Sequence, residues 1–498
     1  MKINIKIKNL AKKINQEFPD SEIFLVGGGV RDLLLTKSCK DYDLLVRGVP
    51  ARKLEKFLKT LGKVNLVGKN FGIFKFQITN IKYQIDIALP RTEYSLGKTG
   101  AYRDFKIQTN YKLKIEDDLS RRDFTVNAIA YNILKNKIID PFAGQQDLKK
   151  KLIRAVGKPE ERLKEDYSRM LRAIRFTCQL NFPAKGGSSS AWKIEAKTWM
   201  AVKKLSKNIN KKSDDDFVVP RETIAKELLK AFYHKPLKAL ELFDQAGLIK
   251  HLMPELLKMK KCPQPPNWHT EGDVWQHTVL CLKNLDSTKY KRKFPDQPSI
   301  NLIMALLFHD LGKPYTIQTP KQDGTDRIRF NDHDQVGAKK TKEICSRLKL
   351  SAHKDENIDC DCDDLAWLVR SHMLTVHGKI DQIKNTTLEK YFFSDKPGAD
   401  LLQLIFIDAI STIPRQGEIY VNHYNQLNKR LQALSRLQKT PKKILPKLLI
   451  DGNEIMKLLK IKPGPRVGQV MELLREEQLK KKIKTKKQAR EFVKRIKL

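Results

Sequence analysis

The chain is 498 residues long, beyond the size at which one hydrophobic core keeps growing, so at least three structural units in series are expected. Its 97 Lys and Arg against 57 Asp and Glu leave a formal charge of +40, a field suited to a polyanion such as nucleic acid rather than to a small-molecule enzyme. Seven scattered Cys make no disulfide framework, and no apolar run is long enough to span a bilayer, so a reducing, cytoplasmic setting without a membrane partner is expected.

Met1 to Phe18 is basic and amphipathic but lacks the apolar core and cleavage site of a secretory signal. Up to about Leu152, short β-like runs alternate with turns (Ile23 to Val26, Asp43 to Val46, Gly72 to Ile78, Tyr83 to Ala88, Lys137 to Ile139), the pattern of a small mixed α/β domain. Within it, Ile23 to Leu35 reads as a strand, a glycine turn and a helix start. Glycines there let backbone N–H groups approach a phosphate, and the helix N-terminus adds partial positive charge. In Lys40-Asp41-Tyr42-Asp43, strand alternation points Asp41 and Asp43 to one face, where two carboxylates can hold hard cations for an in-line displacement. An isolated Asp-x-Asp is more often a solvated strand edge. Asp86, within an apolar strand, is the best candidate for a third carboxylate. Arg121 and Arg122 offer planar donor forks, though adjacent arginines are by themselves more often surface residues.

From Pro159 onward helical periodicity dominates. Asp166, Arg169, Arg172 and Arg175 recur at steps of three, which predicts one side of one helix carrying the donors and acceptors that a base edge requires. Asn181 to Asp216, with its Gly, Ser and Asp runs, reads as a flexible insertion around one helix. A second helical block from about Pro220 to Ala433 carries His277, His309-Asp310, His333, His372 and Asp408, a suitable ligand set for a divalent metal. Cys360-Asp-Cys362 resembles half a metal clip, but without a second thiol pair in sequence it reads as a loop. The end of the chain, from about Lys443, is Lys-rich, with Pro463-Gly464-Pro465 turning between helices.

Three motifs together resemble one family. Gly27-Gly28-x-Val30-Arg31-Asp32 followed by Asp41-x-Asp43, then Asp118-Leu-Ser-Arg121-Arg122-Asp123-Phe-Thr-Val-Asn127, then Glu165-Asp166-x-x-Arg169, are similar to the class II (bacterial-type) tRNA nucleotidyltransferases and the related poly(A) polymerases. The resemblance implies an α/β, polymerase-β-like head with a mixed sheet, followed by an all-α neck, body and tail. It implies boundaries of 1–155 for the head, 156–250 for the neck with the insertion at 181–216, 251–435 for the body and 436–498 for a basic tail that binds tRNA. Asp41 and Asp43, with Asp86, would hold Mg²⁺. Gly28, Arg31 and Arg121 would bind the nucleotide, Asp166 and Arg169 would choose between CTP and ATP, and Arg172 and Arg175 would contact it too. Arg221 to Leu228 resembles the later neck helix, although Thr223 stands where an Arg is common. Residues 91–105 resemble the loop that helps switch from C to A addition.

His277, His309, Asp310 and Asp408 resemble the HD phosphohydrolase domain fused to some of these enzymes, which implies a divalent metal and a phosphatase or 2′,3′-cyclic phosphodiesterase acting in tRNA repair. The activity implied is C, C and A addition to the tRNA 3′ end. Poly(A) polymerase, or a CC-adding or A-adding partial enzyme, are the alternatives.

Overall fold

The computed structural model describes residues 3–35, 42–67, 73–78, 84–95, 105–180, 191–375, 380–436 and 447–496. Internal contacts divide the chain into two compact units, Met1–Leu252 and Met253–Leu498.

The first unit opens with α1 (Ile5–Glu17), β1 (Glu22–Val26), α2 (Gly28–Leu34), β2 (Tyr42–Arg47), α3 (Ala51–Leu61), β3 (Gly62–Val67), β4 (Ile73–Ile78) and β5 (Gln84–Ala88). After them come β6 (Arg91–Ser95), β7 (Phe105–Thr109), α4 (Ile115–Ser120), β8 (Ala130–Asn132), β9 (Lys137–Ile139) and α5 (Gly144–Lys150). Seven strands form one mixed sheet in the order β3-β4-β5-β2-β1-β8-β9, with β2 and β5 parallel and the other neighbours antiparallel. β1 lies inside that order and is buried from Ile23 to Val26, which explains its unbroken apolar run. Phe24, Val26 and Leu45 pack with Ile115, Leu119, Ala128 and Ala130 into the core beneath the first turn. Each large side chain withdrawn from water there contributes roughly 1.5–3 kcal/mol. β6 and β7 pair as a separate hairpin; the rest of the 91–105 loop lies outside the described residues.

The neck continues the same unit with α6 (Pro159–Glu165), α7 (Ser168–Gln179), α8 (Ala196–Leu205), α9 (Arg221–His234), α10 (Pro236–Gln245) and α11 (Leu248–Leu252). Two expectations are corrected here. The stretch expected as a flexible insertion is part of the neck from residue 191 on, its first ten residues lying outside the described ones. Lys193–Ile194 pairs with Leu152–Ile153, α8 packs against α6, and Trp192, Val202, Leu205 and Ile209 are buried. The one helix expected within the stretch is α8; what the Gly and Ser run obscured is that it packs into the neck. The second correction concerns the Asp/Arg series, which does not share one helix. Asp166 sits between α6 and α7, where its Oδ1 accepts from the Ser168 N–H at 2.8 Å and turns the chain into α7.

The second unit contains α12 (Val274–Asn284), α13 (Thr288–Lys293), α14 (Ile300–Phe308), α15 (Lys313–Thr316), α16 (Pro320–Asp323), α17 (His333–Leu348) and α18 (Cys362–Ser371). Beyond these are α19 (Asn385–Phe392), α20 (Gly398–Ser411), α21 (Ile419–Ser435), α22 (Gly452–Leu459), α23 (Pro465–Leu479) and α24 (Lys486–Arg495). All nine residues of α14, eight of them apolar, are buried, and α12, α18 and α20 pack around it, as a helix apolar on nearly all sides demands. The tail helices close their own core around Ile455, Val470, Leu474 and Val493. Among the described residues no helix is long and apolar enough to cross a membrane.

Candidate functional site

In the first unit a cavity of about 470 Å³ opens where the glycine turn meets α7 and α9. Gly27 makes that turn with φ +67°, and a side chain at Gly27 would put Cβ 2.8 Å from Arg122 Nη1. The turn delivers Gly28 and Arg31 to the cavity wall, with Asp43 from β2 beside them. In the parallel β2–β5 register Asp43 is paired with Asp86, so the two carboxylates leave the sheet on the same face. Asp86 is not part of the cavity wall. Asp41 lies outside the described residues.

Opposite the turn, Arg121, Asp166, Arg169 and Arg172 line the cavity and Arg175 does not. Steps of three residues drift by about 60° each around an α-helix, so Arg175 has rotated about 120° from Arg169 and faces α9. There its Nε donates to Glu227 Oε2 at 2.5 Å. Arg169 donates to Glu165 Oε2 at 2.7 Å and to the Arg162 carbonyl at 2.9 Å, and Arg172 donates to Asp123 Oδ2 through Nε at 2.8 Å and Nη2 at 2.6 Å. A chain of hydrogen bonds joins the two sides: Arg31 donates to Asn127 at 2.9 Å, and Asn127 to Asp123 at 3.1 Å. The Phe176 ring lies beneath Arg31, Arg172 and Arg175.

Asp118, fully buried, accepts from Arg121 and Arg122. Burial pushes its carboxyl up, but the two guanidiniums more than offset this and hold it below the usual range. Asp118, Asp123, Asn127 and Glu227 carry this scaffold; the sequence motifs include them but assign them no role. The signal available was a set of arginines too closely spaced to be buried without counter-charges.

A second cavity, of about 1020 Å³, lies in the other unit. His277 comes from α12, His309 and Asp310 from the C-terminal end of α14, His333 from the start of α17, His372 from the end of α18 and Asp408 from α20. Gly312 permits the close approach, since a Cβ there would meet the His333 carbonyl at 1.9 Å. His277 Nε2 is 3.0 Å from Asp408 Oδ1, and His309 Nε2 is 3.4 Å from Asp310 Oδ2. The ring Nδ1 atoms of His309, His333 and His372 face the carbonyls of Leu306, Phe330 and Val369 at 3.0, 2.8 and 2.6 Å, so each Nε2 lone pair turns inward.

The fit to a divalent cation can be read directly from these atoms. His309 Nε2 is buried with no hydrogen-bond partner. Burial pushes His333 down to about 3 and His372 also downward, which leaves both rings neutral, as a ligand must be. Burial raises the Asp310 carboxyl, but Lys313 and His309 more than offset this and hold it well below the usual range. Glu271, buried but hydrogen-bonded to His269 and His277 at 2.7 and 2.9 Å, is held at about 2. Glu271, Lys313 and the buried Cys281, 3.5 Å from His277 Nε2, were not recognised as members of the cluster from sequence. Cys281 did carry a signal: it follows His277 by four residues on α12, a spacing that puts both on one helix face.

Comparison with known proteins finds a family model over each of the two regions that carry these cavities. Residues 23–154 match the poly A polymerase head domain, and residues 274–409 match the HD domain. An A-adding tRNA nucleotidyltransferase of Deinococcus radiodurans is 31% identical over 76% of this chain and 79% of its own length. A multifunctional CCA protein of Stenotrophomonas maltophilia is 31% identical over 74% and 79%. The crystal structure of the Bacillus stearothermophilus CCA-adding enzyme in complex with CTP superimposes with a TM-score of 0.63 at 19% identity, covering 99% of this chain and 97% of that one. The Thermotoga maritima CCA-adding enzyme complexed with tRNA gives 0.59 at 20% identity over 99% and 95%. At these identities the structural likeness shows the fold.

Proposed function

Because the chain belongs to the tRNA nucleotidyltransferase and poly(A) polymerase family, we propose that it adds C, C and A to the 3′ end of tRNA from CTP and ATP, releasing pyrophosphate. One observation carries this reading: a single cavity is walled by the Gly28–Arg31 turn and Asp43 on one side and by Asp166 and Arg169 on the other. In this reading Asp41 and Asp43, with Asp86, hold Mg²⁺, which would lower the charge on the triphosphate and favour attack by the 3′ hydroxyl. Arg31 and Arg121 hold phosphate oxygens. Asp166 and Arg169 present an acceptor and donors in one plane to the base, in place of a template strand. Arg172, bonded twice to Asp123, keeps the phosphate and base sides in register. Arg175 acts through Glu227 in packing α7 on α9 rather than by touching the nucleotide.

The second cluster supports a metal-dependent phosphohydrolase that trims phosphate from damaged tRNA 3′ ends, with His277, His309, Asp310 and Asp408 as ligands of a divalent cation. A narrower transferase reading has support in the Deinococcus relative, whose name restricts it to A addition. Incubating the protein and Mg²⁺ with tRNA lacking CCA, and supplying CTP, ATP or both, separates the readings. The expected products are two added nucleotides with CTP and a third only when ATP is present, with Asp43→Ala abolishing both. Addition of one A, and only to tRNA already ending in CC, would establish the partial enzyme. Long A tails from ATP alone would establish a poly(A) polymerase.

A further inference from the structure

The arginines around the transferase cavity reach it already engaged. Arg31 is bonded to Asn127, Arg121 to Asp118, Arg169 to Glu165 and Arg172 to Asp123. Any of them that takes up a phosphate oxygen must share or release an internal partner. α9 adds a cation of another kind. It packs on α7 and α10, burying Ile224, Ala225, Glu227 and Leu228, and brings Thr223 and Lys226 to the cavity wall. Three residues apart on one helix, these two side chains are neighbours.

Lys226 is exposed there, and among the described residues its Nζ forms no hydrogen bond or ion pair. The adjoining carboxylate of Glu227 is taken, since Arg175 Nε donates to it at 2.5 Å and Arg172 Nη1 stands 4.0 Å away. Partial burial pushes the Lys226 ammonium down, and although Glu227 opposes this, the like charges of Lys230, Arg175 and Arg172 add to it. An unpaired lysine on a convex surface is ordinarily a hydrated group of little consequence. This one stands in a concave wall among other cations, where an incoming anion would relieve the repulsion. An ammonium is a point charge with no plane to match a base edge, but it fits a phosphate oxygen.

We infer that Lys226 binds a substrate phosphate oxygen in the transferase cavity, with the Thr223 hydroxyl beside it as a second donor, and so positions phosphate without discriminating between bases. The inference rests on reading the cavity as the site of nucleotide addition. The phosphate belongs either to the incoming nucleoside triphosphate or to the last phosphodiester of the tRNA 3′ end, and kinetics separate the two sources.

The test compares the full-length wild type with Lys226→Met, which keeps the aliphatic stem, and Lys226→Arg, which keeps the charge. Each is assayed in steady state with CTP on tRNA lacking CCA and with ATP on tRNA ending in CC, and its thermal unfolding is recorded. If the triphosphate is the ligand, Lys226→Met raises KM for CTP and for ATP by one common factor, roughly tenfold or more, the worth of a charge-assisted hydrogen bond, and Lys226→Arg restores most of it. If the tRNA end is the ligand, KM for tRNA rises by that factor instead, with the same rescue. Loss confined to one nucleotide would mean that Lys226 reads a base, and unchanged constants for all three substrates would mean that it touches none. Either result overturns the inference while nucleotide addition itself stands. A loss that Lys226→Arg does not restore, accompanied by a lower melting temperature, would make Lys226 a structural residue and overturn it too. A wild type that incorporates neither nucleotide would overturn the transferase reading, and the inference with it.

Discussion

Asp123 shows how one side chain can hold both halves of the transferase cavity. It accepts from Asn127, the link to Arg31, and twice from Arg172, the link to the neck. Burial pushes its carboxyl up, but Arg172, Asn127 and Arg169 more than offset this and hold it at about 2 against an ordinary 3.8. A carboxylate whose pKa is depressed by folding contributes its full stabilisation above the unfolded value and loses it as pH falls through the folded one. The contribution, about 2 kcal/mol, is therefore present above about pH 4 and disappears toward pH 2. In urea titrations at a series of pH values, the unfolding transition of the unit containing Asp123 should lose about 2 kcal/mol more over this window in the wild type than in Asp123→Asn. Parallel pH profiles for the two proteins would show that the carboxylate is not held as the geometry indicates.

At the scale of elements, α8 decides whether the 191–216 segment is a passenger or part of the neck. Leu205 is 4% exposed at its end, and Thr198 near its start donates through Oγ1 to Glu195 and accepts from the Ala155 N–H at 3.1 Å. Leu205→Ala should cost about 2–5 kcal/mol in chemical denaturation, as a buried leucine does in a packed core, whereas a loosely attached excursion would show almost no change. The same helix marks where the sequence was legible and where it was not. Residues with a motif of their own are brought together: the Gly27 turn reaches the cavity wall with Asp43 beside it, and His277, His309, Asp310 and Asp408 converge from separate helices. What failed depended on partners distant in sequence. The spacing of Arg169, Arg172 and Arg175 looked equivalent until α9 placed Glu227 against Arg175, and nothing near Asp166 announced that the helix breaks there. Glu271 has no motif of its own and acquires a role only from what the fold sets next to it.

For the whole molecule, the charge of +40 is the property that local pairing cannot explain, because every acidic residue could be neutralised and 40 cations would still remain. If these cations serve a polyanion, binding releases condensed counterions and must weaken with salt. For tRNA lacking CCA, affinity should fall log-linearly with salt, by roughly 10³ between about 50 and 200 mM, as for a protein making on the order of six or more phosphate contacts. Charge kept only for solubility would leave the affinity nearly flat, and filter binding at four salt concentrations separates the two. Phosphate contacts position an RNA without reading it, so a second consequence follows for turnover. Salt should raise KM for tRNA steeply while kcat at saturating tRNA stays nearly constant, because in the proposed reading the nucleotide is chosen inside a cavity whose arginines are already paired with Asp118, Asp123 and Glu165 and are screened much less than exposed charges. A kcat that fell in step with affinity would mean instead that the surface charge shapes the reacting geometry itself.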